Sequence, residues 1–257
     1  MRSDLVIPLG SLYAFLLVLV RVSGVFTFLP IPGVTAGPAA ARVVLSLAFT
    51  FALYSRWPVI DPAGVSLGLL TAWIIVEAAL GIAAGVLVGL LAEALVMGLQ
   101  ILGFQAGYGY ASTIDPNTQS DSGILLVLAQ LFAGMLFFAF GFDRHLIQIF
   151  AASLQAHPPG SWTPTVAMAE ELVTAGATVF STGLRLALPV AGMLLLVDLA
   201  LALVGRINAQ VQLITVAFPL KMVLAMLVLS WTLVAYPRVY EQHAGRLFSV
   251  MTRLLTQ

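Results

Sequence analysis

Long apolar runs with very few charges are the feature that most restricts what this chain can fold into. The longest run, residues 65–111, contains Glu77 and Glu93 as its ionisable acids and no lysine or arginine. A soluble domain usually carries about 25% charged residues, because its surface must meet water. This chain is 9% charged and 61% hydrophobic. A hydrocarbon solvent removes the need for a charged surface, so the sequence predicts a membrane protein.

Polar or Pro/Gly-rich breaks divide the apolar sequence into segments. These lie near residues 5–29, 39–55, 65–111, 123–141, 172–204 and 211–236. The period-2 alternation typical of strands is not visible, so we expect an all-α integral membrane protein built of helical hairpins. We expect one domain over residues 1–257, with a polar C-terminal tail at 237–257.

Segment lengths add detail to this prediction. A helix needs about 20 residues to cross the hydrocarbon core, which makes segment 39–55 slightly short. Segment 65–111 is too long for one span, so it predicts two helices or one long helix that leaves the bilayer. Segment 172–204 is also long, and Pro189 can kink or break it. The run that ends near Leu29 exceeds a signal-peptide core and is interpreted as a retained membrane helix.

The distribution of charge leaves the orientation in the membrane open. The tail contains three arginines and one glutamate, which is typical of the cytoplasmic side, and the loop at Arg206 has the same character. Segment 211–236 lies between them, and a full crossing there would place the two on opposite sides. Either the charge rule fails in this chain, or some apolar segments are hairpins that do not cross.

Three glycines spaced by four residues, Gly81, Gly85 and Gly89, predict a close helix contact. Each step of four turns a helix by about 40°, so the glycines share one ridge. Without side chains they let another backbone approach, as in small-xxx-small packing of membrane helices. We favour helix packing over a pore-lining role for this ridge.

Ionisable residues within or beside apolar segments are the next candidates. On insertion scales each costs about 2.5–3.5 kcal/mol at a helix centre, so each should face protein, water or an interface. They could form an ion or proton path, but we favour ion pairing, subunit contacts or snorkelling. The set comprises Arg21, Glu77, Glu93, Arg185, Asp198, Arg206 and Lys221.

Several classes of function lack the residues that they require. The chain has no cysteine, which excludes disulfides and thiolate sites. His145, His157 and His243 match no metal-ligand spacing, and neither a nucleophile elbow nor a phosphate-binding loop is present. Lys221 is the single lysine and no basic cluster exists, so no nucleic-acid partner is expected. We predict no catalytic residues, no metal and no cofactor, and therefore no enzyme.

The stretch from Gly107 to Gln119 changes from an apolar, Gly/Tyr-rich helix end to a polar loop. Pro116 disfavours helix at Asp115, so the helix should end near that point. The glycines make this part of the chain pliable. It is either an ordinary turn between helices or a movable constriction.

Motifs along nearly the whole chain, from about residue 10 to 245, resemble the FliR family of type III export proteins. No single motif is specific, but their order and spacing together are. Arg144 and Ala209 depart from the family pattern, which often has Gly and Pro there. The matching residues are Arg21-Val22-Ser23-Gly24, Pro30, Pro32-Gly33, Pro38, Arg42, Gly103-Phe104-Gln105-Ala106-Gly107, Asp115-Pro116, Leu136-Phe137-Phe138, Asp143-Arg144-His145, Leu186-Ala187-Leu188-Pro189, Leu199-Ala200-Leu201, Arg206, Gln210 and Phe218-Pro219-Leu220-Lys221.

The resemblance implies a subunit of the flagellar export gate in the bacterial inner membrane, at the basal body. Such proteins assemble with FliP-like and FliQ-like subunits into a multi-subunit helical core through which unfolded flagellar proteins pass. FlhB-like and FlhA-like proteins would be neighbours. The middle loop, about 110–122, resembles the segment that plugs the closed channel. The residues assigned to this plug are Phe104, Gly107, Tyr108, Gly109, Tyr110, Asp115 and Pro116.

Other interpretations stay open on the sequence. One is the homologous subunit of a virulence type III secretion system. Another is a small secondary transporter, which requires a midplane substrate site at broken helices. Pro189 with Arg185 and Asp198 offers a weak version of such a site. The last is a structural subunit that stabilises the gate without lining its lumen.

Overall fold

A computed structural model of the chain describes residues 8–29, 39–108, 123–207 and 213–256. Within these ranges the chain is helical, with two short 3-10 turns at Tyr54–Arg56 and Pro62–Gly64 and no strand. The helices are α1 (Leu9–Phe28), α2 (Ala39–Ala52), α3 (Leu67–Ala106), α4 (Gly123–Ala139), α5 (Phe142–Ala156), α6 (Val166–Ile207), α7 (Leu213–Thr232) and α8 (Tyr236–Thr256).

Three of the described helices, α1, α3 and α6, are long and apolar enough to cross a membrane. Two bent pairs of helices, α4 with α5 and α7 with α8, are also long and apolar enough when each pair is taken as one span. Counting them brings the number of candidate spans to five. The prediction of an all-α integral membrane protein is therefore confirmed. The orientation of the helices stays a prediction.

The long apolar segments form uninterrupted helices. Residues 65–111 contain one helix of 40 residues, α3, which is the second of the two predicted options. Helix α6 has 42 residues and continues through Pro189, so the proline does not break it. Each helix is much longer than the roughly 20 residues that a span requires.

Two helices lie where the sequence predicted none. Helix α5 begins directly after the apolar segment 123–141, where a polar break was expected, and α8 occupies the region expected to be a polar tail. In α8 one face is buried, with Tyr240, Leu247 and Met251, and Arg246 and Arg253 lie on the exposed face. A search for uninterrupted apolar runs misses such a helix, because its apolar residues recur with the helical period among polar ones.

The chain divides into two compact units. Long helices contribute residues to both, and the prediction of a single domain stays a prediction. Unit 1 comprises Met1–Leu90, Phe137–Gly176 and Gly245–Gln257, and unit 2 comprises Leu91–Leu136 and Ala177–Ala244.

In unit 1 the predicted glycine ridge of α3 lies against α1. A Cβ atom added at Gly81 would overlap the carbonyl of Arg21, and one at Gly85 would lie 2.7 Å from the carbonyl oxygen of Gly24. At Gly89 the nearest atom would be the carbonyl oxygen of Phe28, at 3.3 Å. Because the numbering rises along both helices at these contacts, α1 and α3 run parallel and their backbones nearly touch.

Unit 2 has a similar close contact between α3 and α6. A Cβ atom at Gly98 would lie 3.1 Å from the carbonyl oxygen of Gly183. Two tyrosines at the start of α8 hold it to other helices through backbone carbonyls. The Tyr236 hydroxyl donates to Leu186 of α6 at 3.2 Å, and the Tyr240 hydroxyl donates to Ala133 of α4 at 3.0 Å.

The contact of α1 with α3 predicts that Gly81→Ala is destabilising. The added methyl group meets backbone atoms, which cannot rotate away, so we expect a loss of about 1–3 kcal/mol. Gly176→Ala, also in a helix of unit 1 but with nothing within 4 Å of the new methyl, is the matched control. It should be neutral or stabilising by about 0.5–1 kcal/mol. Thermal unfolding in mild detergent measures both, and equal midpoints for the two variants would contradict the packing argument.

Candidate functional site

The C-terminal end of α3 carries the part of the predicted gating segment that the structure describes. Phe104, Gly107 and Tyr108 are described, whereas Gly109, Tyr110, Asp115 and Pro116 lie outside the described residues. Phe104 is 72% exposed. The assignment of these residues to a gate stays a prediction.

A Schellman motif ends α3 at this point. Gly107 has φ of +84°, the left-handed conformation that glycine adopts at low cost. Its N–H donates to the carbonyl of Phe104 at 3.2 Å, and the N–H of Tyr108 donates to that of Gly103 at 3.0 Å. These bonds satisfy two of the carbonyls that a helix end leaves unpaired. Helix α3 therefore ends at Ala106, well before the end near Asp115 that the sequence predicted.

An aromatic ring from α7 lies directly on this helix end. A Cβ atom at Gly107 would overlap the ring of Phe218, whose Cε1 would be 2.7 Å away. Next to it, the Tyr108 hydroxyl is buried, with no hydrogen-bond partner among the described residues. Burial raises the pKa of Tyr108 above its ordinary value, so the hydroxyl stays neutral at physiological pH.

The second polar feature is a buried ion pair in unit 1. Arg21 of α1 and Glu77 of α3 both have no exposed side-chain surface. The arginine donates to the carboxylate from Nε and from Nη2, the latter at 2.9 Å. The paired geometry uses the planar fork of the guanidinium.

The remaining hydrogen bonds of this pair come from α5 and the loop after it. Arg21 donates to Ser153 Oγ at 3.2 Å and to the carbonyl of His157 at 2.9 Å. The N–H of Gly160 donates to Glu77 at 3.2 Å. A buried ion pair is tolerated when its other donors and acceptors are satisfied, and here the loop at 157–160 satisfies them. The pair thus connects α1, α3 and α5.

The other intramembrane charges differ in their surroundings. Asp198 of α6 and Lys221 of α7 form an ion pair, with side-chain exposures of 39% and 13%. Glu93, Arg185 and Arg206 are exposed. In the part of the chain that the structure describes, no salt bridge includes any of these three. They are the charges still available to a partner subunit or to water.

Sequence reasoning identified the charged residues but not their partners. Arg21 and Glu77 are 56 positions apart, and Ser153 and Gly160 carry no sequence signal of contact with them. Phe218 was noted only as part of a motif. Over residues 8–29, 39–108, 123–207 and 213–256, no group of three or more His, Cys, Asp or Glu side chains could hold a metal ion.

Comparison with known proteins gives a consistent result. A family model described as bacterial export proteins, family 1, matches residues 12–247. The flagellar biosynthetic protein FliR of Escherichia coli K12 is 25% identical over 240 residues, 93% of this chain and 91% of that protein. The protein of the same name from Caulobacter vibrioides is 27% identical over 245 residues, 94% and 97% of the two chains. That of Bacillus subtilis is 26% identical over 223 residues, 84% of each.

Fold and site together define an all-α integral membrane protein whose buried charges are paired within the chain. The family match extends over nearly all of its described helices. The chain belongs to the bacterial export proteins, family 1, and the resemblance found in the sequence is confirmed.

The Arg21–Glu77 pair gives a prediction on stability. Arg21→Met leaves the Glu77 carboxylate buried without its cation, which should cost about 3–5 kcal/mol. The double variant Arg21→Met with Glu77→Met removes both charges and should recover much of that loss, because apolar replacement of a buried pair is often close to neutral. Steady-state level in the membrane and the midpoint of thermal unfolding measure the difference.

The matched control for this experiment is Glu93→Gln. Glu93 is an exposed acid on α3, the helix that carries Glu77. It should change stability by less than about 0.5 kcal/mol. A loss for Glu93→Gln as large as that for Arg21→Met would show that removing any charge from these helices is harmful, and would contradict the specific role of the pair.

Proposed function

We propose that this protein is a membrane subunit of the flagellar type III protein export gate. It forms the export channel with FliP-like and FliQ-like subunits, and unfolded flagellar proteins cross the inner membrane through it. The observation that carries the proposal is the family match over residues 12–247. The relatives are similar along almost their full lengths and carry the name flagellar biosynthetic protein FliR.

The exposure of the apolar helices supports assembly with other subunits. In the most apolar 18-residue stretch of α6 only 17% of the residues are buried. In the corresponding stretches of α1 and α3 the buried share is 44%. Leu195, Leu199 and Leu203 are each more than half exposed. In water such a surface would aggregate, so it must contact lipid or the apolar helices of partners. FlhB-like and FlhA-like proteins are the neighbours expected from the family.

The gate itself is assigned to the region that begins at the end of α3. In the closed state, residues 110–122 and nearby aromatic side chains fill the lumen and block small ions. Substrate or partner binding favours the open state through differential contacts with the two states. Gly107 and Gly109 are the proposed hinge positions, and the left-handed conformation of Gly107 is one that a side chain would strain.

The sequence left open two alternatives to the flagellar export gate, a virulence-system subunit and a secondary transporter. For the homologous subunit of a virulence secretion system, the deciding observation is the relatives' names, which favour the flagellar system. A secondary transporter requires broken helices at a midplane site. Helix α6 instead continues through Pro189, and Asp198 is paired with Lys221. The structure therefore does not support a substrate site at Pro189, Arg185 and Asp198, the version of the transporter that the sequence offered.

Co-purification is the first test of this proposal. We expect the tagged protein, co-expressed with FliP-like and FliQ-like partners in mild detergent, to purify as one large discrete particle, because its exposed apolar helices need partners. The reference sample is the same protein expressed alone, which should be recovered poorly or aggregated. A stable solitary monomer or dimer in the presence of the partners would favour the transporter.

Deleting residues 110–122 tests the gate. The deletion should preserve assembly and raise the leak of small ions through the membrane, because the material that fills the lumen is gone. Replacing the same residues by a Gly/Ser segment of equal length separates loss of side-chain bulk from chain shortening, and should also leak. Unchanged leak in a fully assembled complex would refute the assignment of this segment as the plug.

A further inference from the structure

The contact between α7 and the end of α3 is more specific than ordinary helix packing. Phe218 covers Gly107, the residue whose left-handed conformation completes the Schellman motif. Any side chain at position 107 would overlap this ring. The ring thus lies against the residue that ends α3.

Helix α7 can bend beside this contact. Pro219 lies inside α7, immediately after Phe218. A proline within a helix removes one backbone hydrogen bond and crowds the preceding turn, so helices bend there more easily than elsewhere. Phe218 lies on the N-terminal side of this weak point.

On the C-terminal side of Pro219, α7 is attached to α6. Lys221, two residues after the proline, pairs with Asp198 of α6. Phe218 and Lys221 are three residues apart and so lie on neighbouring positions of one helix face. The lysine side chain is 13% exposed and the aspartate side chain 39%, so the pair is only partly shielded from solvent.

From these contacts we propose that Phe218 is a positioning residue that clamps the end of α3, and that the Asp198–Lys221 ion pair holds the clamp in place. With the pair formed, α7 holds the ring on Gly107 and the α3 cap is fixed. When the pair is broken, α7 bends at Pro219, the ring leaves Gly107, and the end of α3 is released. Any effect on ion leak rests on the proposed function, but the clamp itself does not.

The clamp can be tested directly by thiol labelling, because the chain has no cysteine of its own. Tyr108→Cys introduces a single thiol next to the clamped glycine, and Phe104→Cys introduces one at a site that is already 72% exposed. In the assembled complex, adding Phe218→Ala should raise the rate of maleimide labelling at position 108 several-fold and leave the rate at position 104 unchanged. Equal rates at position 108 with and without Phe218→Ala would overturn the proposal.

Other variants separate the clamp from general loss of folding. Phe218→Tyr keeps the ring and should retain slow labelling at position 108. Lys221→Met retains the Phe218 side chain but removes the ion pair proposed to hold it on Gly107. It should also raise labelling at position 108, and it provides the same test if Phe218→Ala does not assemble. Exchanging the two charges, Asp198→Lys with Lys221→Asp, should restore slow labelling. Failure of the exchange to do so, when Lys221→Met does raise the rate, would overturn the role of the ion pair.

Ion leak distinguishes failure of the clamp from failure of the proposed function. If the gate begins where proposed, Phe218→Ala and Lys221→Met should leak more than the unmodified complex. Leak after deletion of residues 110–122 but not in these variants would refute the link between clamp and gate, with the gate intact. Faster labelling at position 108 without leak in any variant, the deletion included, would support the clamp and refute the proposed gate.

Discussion

The Arg21–Glu77 ion pair is the interaction on which the arrangement of unit 1 depends. A charged side chain in the middle of an apolar helix is stable only beside an opposite charge or water. The glycines of α1 and α3 allow the two backbones to approach, and the side chains then meet next to that contact with both charges fully buried. Ser153 and the loop at His157–Gly160 complete the hydrogen bonding. One requirement, that no charge stays unpaired, thus fixes the relative positions of α1, α3 and α5.

Unit 2 uses polar groups differently. Its tyrosines donate to backbone carbonyls of α4 and α6, and its ion pair, Asp198–Lys221, is partly exposed. A partly exposed pair is easier to break than a fully buried one, because water can replace the lost partner. The same unit contains the prolines of α6 and α7 and the left-handed glycine at the end of α3. Unit 2 thus combines two helix prolines with a partly exposed ion pair, whereas the ion pair of α1 and α3 in unit 1 is fully buried.

This distribution agrees with the proposed role of the protein. A gate subunit must keep its place in a complex and also allow one part of the chain to change conformation. Apolar helices with little buried surface, such as α6, depend on partners or lipid. Membership of a bacterial export family is consistent with assembly alongside other export components.

The sequence by itself determined the class of fold. A low charge content and long apolar runs specify membrane helices, since every backbone polar group must be satisfied within the segment. It also located the glycine ridge and the ionisable residues, because each is a local departure from the apolar pattern. The amphipathic helices α5 and α8 escaped the same reasoning, because their polar residues looked like breaks.

Tertiary structure decided which charges pair and which surfaces are covered. Arg21 could have met Glu93 or Asp198 as far as sequence is concerned, and only the close approach of α1 and α3 selects Glu77. Phe218 became significant only when α7 placed its ring on Gly107. Pairing between distant residues depends on helix positions in space, which the period of a single helix does not encode.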